Sequence, residues 1–291
     1  MNLWWPIFLV AMSVSNAHAQ IPDFSGQWVH PSLPGFEPPE VGAGPITNRS
    51  RLPNGQSNWN QLVGDFTNPI LKPNAAEVVK RHGEISLLGA TYPTPSNQCW
   101  PPGVPYILSG LAMHMIQRPT ETIIMYRGNQ EVRRVRMNSV HPANVLPSWY
   151  GDSVGHYEGD TLVVDTVGVR TDRPYAMLDM YGTPFTSALH VVERYRLIDY
   201  EATMAAVRRD LKVNAPLGAD LDATPDPDYR GPGLQLEFTV EDEGVFTTPW
   251  TATITYRRGR GPWREFICAE NRRESTGEKE TNTPMAERLD F

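Results

Sequence analysis

Gly155-His156-Tyr157-Glu158-Gly159-Asp160-Thr161-Leu162-Val163-Val164-Asp165-Thr166 reads as two strands folded about a glycine. Gly159 supplies the positive φ that a tight hairpin needs, and a β-branched run follows it. Alternation with period two places His156, Glu158 and Asp160 on one face and sets Leu162 and Val164 opposite Val163 and Asp165. Carboxylates at such a turn cap backbone N–H groups, which is a sufficient structural reason for Glu158 and Asp160.

The same grammar repeats on both sides of this hairpin. Strand-like runs are expected over Met113–Arg118, Glu121–Arg127, Glu131–Met137, Thr161–Val167, Leu189–Ile198, Leu234–Val240, Thr251–Arg257 and Arg264–Cys268. Glycine turns separate several of them, at Arg127-Gly128-Asn129 and Arg258-Gly259-Arg260-Gly261. Residues 201–213 fit a strand or a short helix, and the Pro- and Gly-rich residues 214–233 read as a surface excursion. Many short strands in succession predict a mainly β fold, a sandwich or a single antiparallel β-barrel, with the barrel preferred.

Upstream the character changes. Residues 20–112 are rich in proline and loops and read as a region packed on the barrel, whose main portion covers residues 113–291 of the same domain. One helix is expected there, capped by Asn74 with Glu77 as capping-box partner and ending near His82 and Gly83. Asp23-Phe24-Ser25-Gly26-Gln27-Trp28 resembles the opening of lipocalin-type (calycin) barrels, in which a Gly-x-Trp on the first strand closes one end of the barrel.

At the N-terminus, the apolar run from Leu3 to Met12 and the ending Ala17-His18-Ala19 read as a secretory signal peptide over residues 1–19, with no Lys or Arg before the run. The run is too short to span a bilayer, which takes about 20 apolar residues, and no later segment approaches that length. The expected address is periplasmic or secreted. A net charge of −7 argues against nucleic acid as a partner, although Arg133, Arg134, Arg136 and Arg257, Arg258, Arg260 form local basic clusters. In an oxidising compartment the isolated pair Cys99 and Cys268 is most simply a disulfide, with two free buried thiols as the alternative.

The block from Ser148 to Thr166, the strand Leu189-His190-Val191-Val192-Glu193-Arg194-Tyr195, and the ends Cys99-x-Pro101 and Cys268-x-Glu270-Asn271 resemble a widespread group of exported bacterial proteins. That group carries a W-x-GDS-x-G-x-W/Y-EGDTLVVDT block and an LHVVERY strand, and Tyr157 stands where Trp is commoner. The resemblance spans most of the mature chain. With no activity attached to the group, it implies fold boundaries and a motif list rather than a reaction.

Chemistry has to be sought among single residues. Gly151-Asp152-Ser153 resembles an esterase nucleophile motif but lacks a strand-to-helix elbow, so Asp152 and Ser153 read first as a turn. Along Leu189–Ile198 one face carries His190, Val192, Arg194 and Arg196, the other Val191, Glu193, Tyr195 and Leu197. Whichever face is inward brings ionisable groups with it, in an ion pair or lining a polar site. Of the histidines, His82 ends a surface helix, His30 rims the barrel, and His141, His156 and His190 could converge with Glu158 or Glu193 at one mouth.

These readings give one leading expectation and one alternative. The first is a cofactor-independent lyase, isomerase or hydrolase for a small, partly aromatic molecule held in a barrel cavity. His141 or His190 would act as acid or base, oriented by Glu193 or Asp152, with Arg134 or Arg194 opposing an anionic group. Trp149, Tyr157, His156 and Glu158 would help to bind the molecule. The alternative is a carrier for a small apolar ligand with the same pocket and no chemistry. Three His and a carboxylate would suit zinc or iron, yet no HExxH or closely spaced HxH occurs, and no glycine motif points to a nucleotide cofactor.

Overall fold

In the computed structural model the described residues are 21–30, 35–90, 92–173, 175–214, 224–263 and 267–268. The signal-peptide reading of residues 1–19 and most of the expected strand over 264–268 therefore lie outside them; Ile267 and Cys268 are described and belong to no strand.

Ten strands occur among the described residues: β1 Gly26–Val29, β2 Ala112–Gln117, β3 Glu121–Tyr126, β4 Glu131–Met137, β5 Asp152–Glu158, β6 Thr161–Val167, β7 His190–Ile198, β8 Thr224–Pro225, β9 Gly233–Glu241 and β10 Trp250–Arg260. Nine of them form a closed ring in the order β1-β2-β3-β4-β5-β6-β7-β9-β10, with β10 returning to β1 through Trp28↔Arg258 and Val29↔Arg257. The short β8 attaches to the end of β10 through Gly259↔Pro225. The mainly β, single-barrel expectation holds.

One seam departs from the antiparallel pattern. A ring of nine strands that alternate in direction cannot close without one like-directed neighbour pair. That pair is β4 and β5, joined in parallel through Arg136↔Val154 and Met137↔Gly155. Parallel neighbours need a crossover rather than a hairpin, and residues 138–151 provide it. The crossover returns to the wall where Asn138 donates its N–H to the Gly155 carbonyl at 2.7 Å and Ser148 donates to Gly168 at 3.0 Å.

Period-two alternation decides which side chains enter the barrel. On β4, Glu131, Arg133, Val135 and Met137 are buried while Val132, Arg134 and Arg136 are exposed. On β7, Val191, Glu193 and Tyr195 are buried. Leu234, Leu236, Phe238 and Val240 of β9 and Trp250, Ala252, Ile254 and Tyr256 of β10 complete the apolar interior. Trp28 is 1 % exposed, donates its Nε1–H to the Phe24 carbonyl at 2.8 Å, and lies under the Arg258 guanidinium at 4.9 Å. Gly26 has φ +110°, and a Cβ there would stand 2.5 Å from Arg258, so the Gly-x-Trp spacing makes room for that cation.

The helices correct two expectations. α1 runs Pro73–Leu87, starts at Lys72 without a side-chain cap, and has Pro73 in its first turn in place of an Asn74 capping box. It continues past Gly83, which packs on Val63, where a Cβ would meet Cγ1 at 3.0 Å. Its inner face is Ala75, Val79, His82 and Gly83, so His82 is buried rather than a surface terminus. The ambiguous stretch is a helix, α2 Tyr200–Val213, whose N-cap Asp199 accepts the Ala202 N–H. Ile46, Ile70, Leu71, Ala75 and Val79 share one apolar cluster with the barrel side chains, which docks the N-terminal region on the barrel. No described helix is long and apolar enough to cross a membrane.

Candidate functional site

Among the described residues the barrel interior holds a polar network around Arg133 and Glu193. Arg133 is 2 % exposed and Glu193 fully buried, and they form a two-pronged pair: Nη1 donates to Oε2 at 2.9 Å and Nη2 to Oε1 at 2.6 Å. Arg133 also donates to Ser153 Oγ at 3.0 Å and Thr166 Oγ1 at 2.6 Å, and the Tyr195 hydroxyl donates to Glu193 Oε2 at 2.6 Å. Burial opposes the Arg133 charge, but the Glu193 carboxylate overrides it and holds the guanidinium pKa above its ordinary value. Burial also pushes Tyr195 well up and Tyr126 to about 12. The Tyr126 hydroxyl lies beside the network without a well-formed hydrogen bond to it. Glu193 is thus committed to Arg133, Ser153 is one of the donors and acceptors around that pair, and neither histidine expected beside Glu193 is inside.

His141 and His190 meet on the outer wall. His141 Nδ1 is 2.7 Å from Asp152 Oδ2 and its Nε2 3.2 Å from Asp165 Oδ1. His190 Nε2 is 2.9 Å from the same Asp165 oxygen, with Nδ1 3.6 Å from Glu241 Oε2. Arg136 closes the group, its Nη2 donating to Asp152 Oδ2 at 2.7 Å and Oδ1 at 2.9 Å. The two imidazoles thus share one carboxylate and each has a second of its own. Sequence reading found His141, His190 and Asp152 but missed Asp165 and Glu241. The outward parity of Asp165 opposite Leu162 and Val164 was a signal for the first; the register His190↔Glu241 that brings the second is tertiary.

The other proposed residues are spread around the barrel. His156 contacts Glu158 at 3.1 Å, and Arg194 pairs with Glu158, all on the outer surface. Arg134 pairs with Glu121 across β3–β4, also outward, at 2.6 Å. The Tyr157 hydroxyl accepts from Gln117 Nε2 at 2.9 Å. Trp149 stacks on Trp100 with centroids 5.6 Å apart and lies under Arg170 and Arg173. Among the described residues no three His, Cys, Asp or Glu side chains are grouped so as to hold a metal ion.

The main cavity lies elsewhere, where the β3–β4 turn meets the N-terminal region. It encloses about 630 Å³, within the range of small-molecule sites. Trp59, Tyr92, Tyr106 and Tyr126 give it aromatic walls, and His82, Asn97, Arg127 and Glu131 give it polar groups. His141, His190, Asp152 and Asp165 do not line it. His82 does, and burial, with a smaller effect of Arg81, holds its pKa near 4, so the imidazole is neutral at pH 7. The 3.6-residue spacing Ala75, Val79, His82 carried the signal for an inward His82, and the break expected at Gly83 hid it.

Cys99 and Cys268 form a disulfide across 169 residues, with Cα atoms 5.3 Å apart. It joins the segment that contributes Ser96, Asn97 and Pro102 to the cavity wall to the chain beyond β10. In comparisons with known proteins, no family model, curated protein or solved structure matches this chain.

Proposed function

We propose that this protein is exported and binds a small, partly aromatic organic molecule in the cavity between the β3–β4 turn and the N-terminal region, as a carrier without a resident cofactor. The observation that carries the reading is the cavity of about 630 Å³ walled by Trp59, Tyr92, Tyr106 and Tyr126. Aromatic side chains offer large apolar area, and the few polar groups among them fix orientation. Among the described residues the barrel interior is packed with apolar side chains and the Arg133–Glu193 pair. Export is supported by the apolar N-terminal run in the sequence and by the disulfide.

The test is mass spectrometry of small molecules released from protein isolated from the periplasm, alongside N-terminal sequencing. An aromatic compound released from the wild type and absent from Ala90→Trp, which fills the cavity from an exposed position, is the expected result. Equal release from both proteins places the ligand elsewhere, and a chain still starting at Met1 removes export.

A second reading rests on the outer-wall cluster. His141 and His190, held by Asp152, Asp165 and Glu241, form an acid–base array open to solvent, suited to proton transfer in a lyase, isomerase or hydrolase reaction. Arg136 would then face an anionic substrate group from the same wall. Any turnover found in a substrate screen should fall at least tenfold in His141→Ala and His190→Ala. Turnover kept by both variants ends this reading.

A further inference from the structure

We propose that His82 is the polar anchor of the cavity and accepts the hydroxyl hydrogen of a neutral hydroxyaromatic ligand. This deepens the binding reading above and rests on it.

His82 is 6 % exposed and lines the cavity, yet among the described residues neither ring nitrogen has a hydrogen-bond partner. Neither nitrogen is among the buried side-chain atoms shut off from water, so the cavity reaches the ring and a ligand there can take the place of water at it. One edge of the ring rests on Gly182 (φ +78°), where a Cβ would lie 1.9 Å from Nδ1. The opposite edge, with Nε2, is therefore turned away from that backbone. Tyr92 lies against one face, its ring centroid 3.2 Å away at 31°. Backbone on one edge and an aromatic ring on one face fix the imidazole.

Charge selects the ligand class. Among the described residues the charged side chains lining the cavity are Arg127 and Glu131, one of each sign, and both already have partners. With the imidazole uncharged at neutral pH, no net charge is left to attract an ion. A neutral imidazole has one accepting and one donating nitrogen. An aromatic hydroxyl satisfies the acceptor while its ring takes the space among Trp59, Tyr106 and Tyr126.

Calorimetric titration with 2-naphthol and 2-methoxynaphthalene tests this, since the pair differs in the hydroxyl hydrogen. The wild type should bind 2-naphthol about tenfold more tightly, the size of one buried hydrogen bond left unmade. His82→Phe should bind both probes alike. Equal affinities in the wild type, or a preference intact in His82→Phe, overturn the role of His82 while leaving the cavity reading in place. No binding of either probe overturns both. A second readout needs no variant: the His82 imidazole 15N resonances of the wild type should move with 2-naphthol and not with 2-methoxynaphthalene. Resonances unmoved at saturation overturn the anchor.

Discussion

Arg133 and Glu193 keep their charges inside the barrel only through each other. Two parallel N–H···O bonds, two hydroxyl contacts and the Tyr195 hydroxyl replace the water both groups lost. Removing one partner leaves the other buried and uncompensated, so Arg133→Met and Glu193→Leu should each cost about 3–5 kcal/mol in urea unfolding. The double variant should recover most of that loss, because an apolar pair of similar volume removes both desolvation costs. Additive losses would show that the pair is not the unit. His82 gives a second prediction at this scale. Its pKa is near 4 in the fold against 6.5 for an ordinary imidazole. Below pH 6.5 the unfolded chain takes up a proton that the folded protein refuses, so stability present at neutral pH is lost as the pH falls toward 4. The loss should be on the order of 2 kcal/mol relative to His82→Gln across that window. Parallel pH profiles for the two proteins would rule it out. Strand alternation in the sequence shows that one face of Leu189–Ile198 must bury a charge. It cannot show that Arg133 is the partner, because the two strands are not neighbours and the pair forms across the barrel interior.

At the scale of elements, the parallel seam is where the barrel is most constrained. β4 and β5 meet at Arg136↔Val154 and Met137↔Gly155, and Gly155 has no room for a side chain. A Cβ there would stand 2.8 Å from Val135 Cγ1, 3.1 Å from Met137 Sδ and 3.2 Å from the Val163 carbonyl. Gly155→Ala should therefore destabilise by about 1–3 kcal/mol and speed hydrogen exchange at Asn138, whose N–H bonds to the Gly155 carbonyl. Unchanged exchange at Asn138 would show that the seam adapts without opening. Most strands were legible, since alternation and glycine turns are local: Glu131–Met137 and Thr161–Val167 are expected and observed with the same ends. The seam was not legible, because alternation looks the same in parallel and antiparallel strands and only ring closure forces the choice. The start of α1 misled for a related reason. Asn74 and Glu77 make an acceptable local signal, but Pro73 fits the first helical turn, where its missing N–H costs nothing, and the helix begins two residues earlier, with Lys72 rather than Asn74 at its N-cap.

Across the whole molecule, barrel, N-terminal region and disulfide meet at the cavity, so its wall has two kinds of support. One acts in the folded state: Trp100 stacks on Trp149, Arg173 Nη1 donates to the Pro101 carbonyl at 2.6 Å, and Asn97 Oδ1 accepts the Thr94 N–H at 2.7 Å. The other is the Cys99–Cys268 link, which closes a loop of 169 residues and in the chain-entropy account acts mainly on the unfolded chain. The two have separable consequences. Cys99→Ser/Cys268→Ser should lower the unfolding free energy by roughly 5 kcal/mol in urea, because the open chain gains the entropy that the link withheld. Its affinity for 2-naphthol under native conditions should stay within about a factor of two of the wild type, since the contacts that hold residues 94–102 in place remain. Affinity that collapses together with stability would mean that the link positions the cavity wall directly, and the cavity would then depend on an oxidising compartment for its shape as well as for its durability.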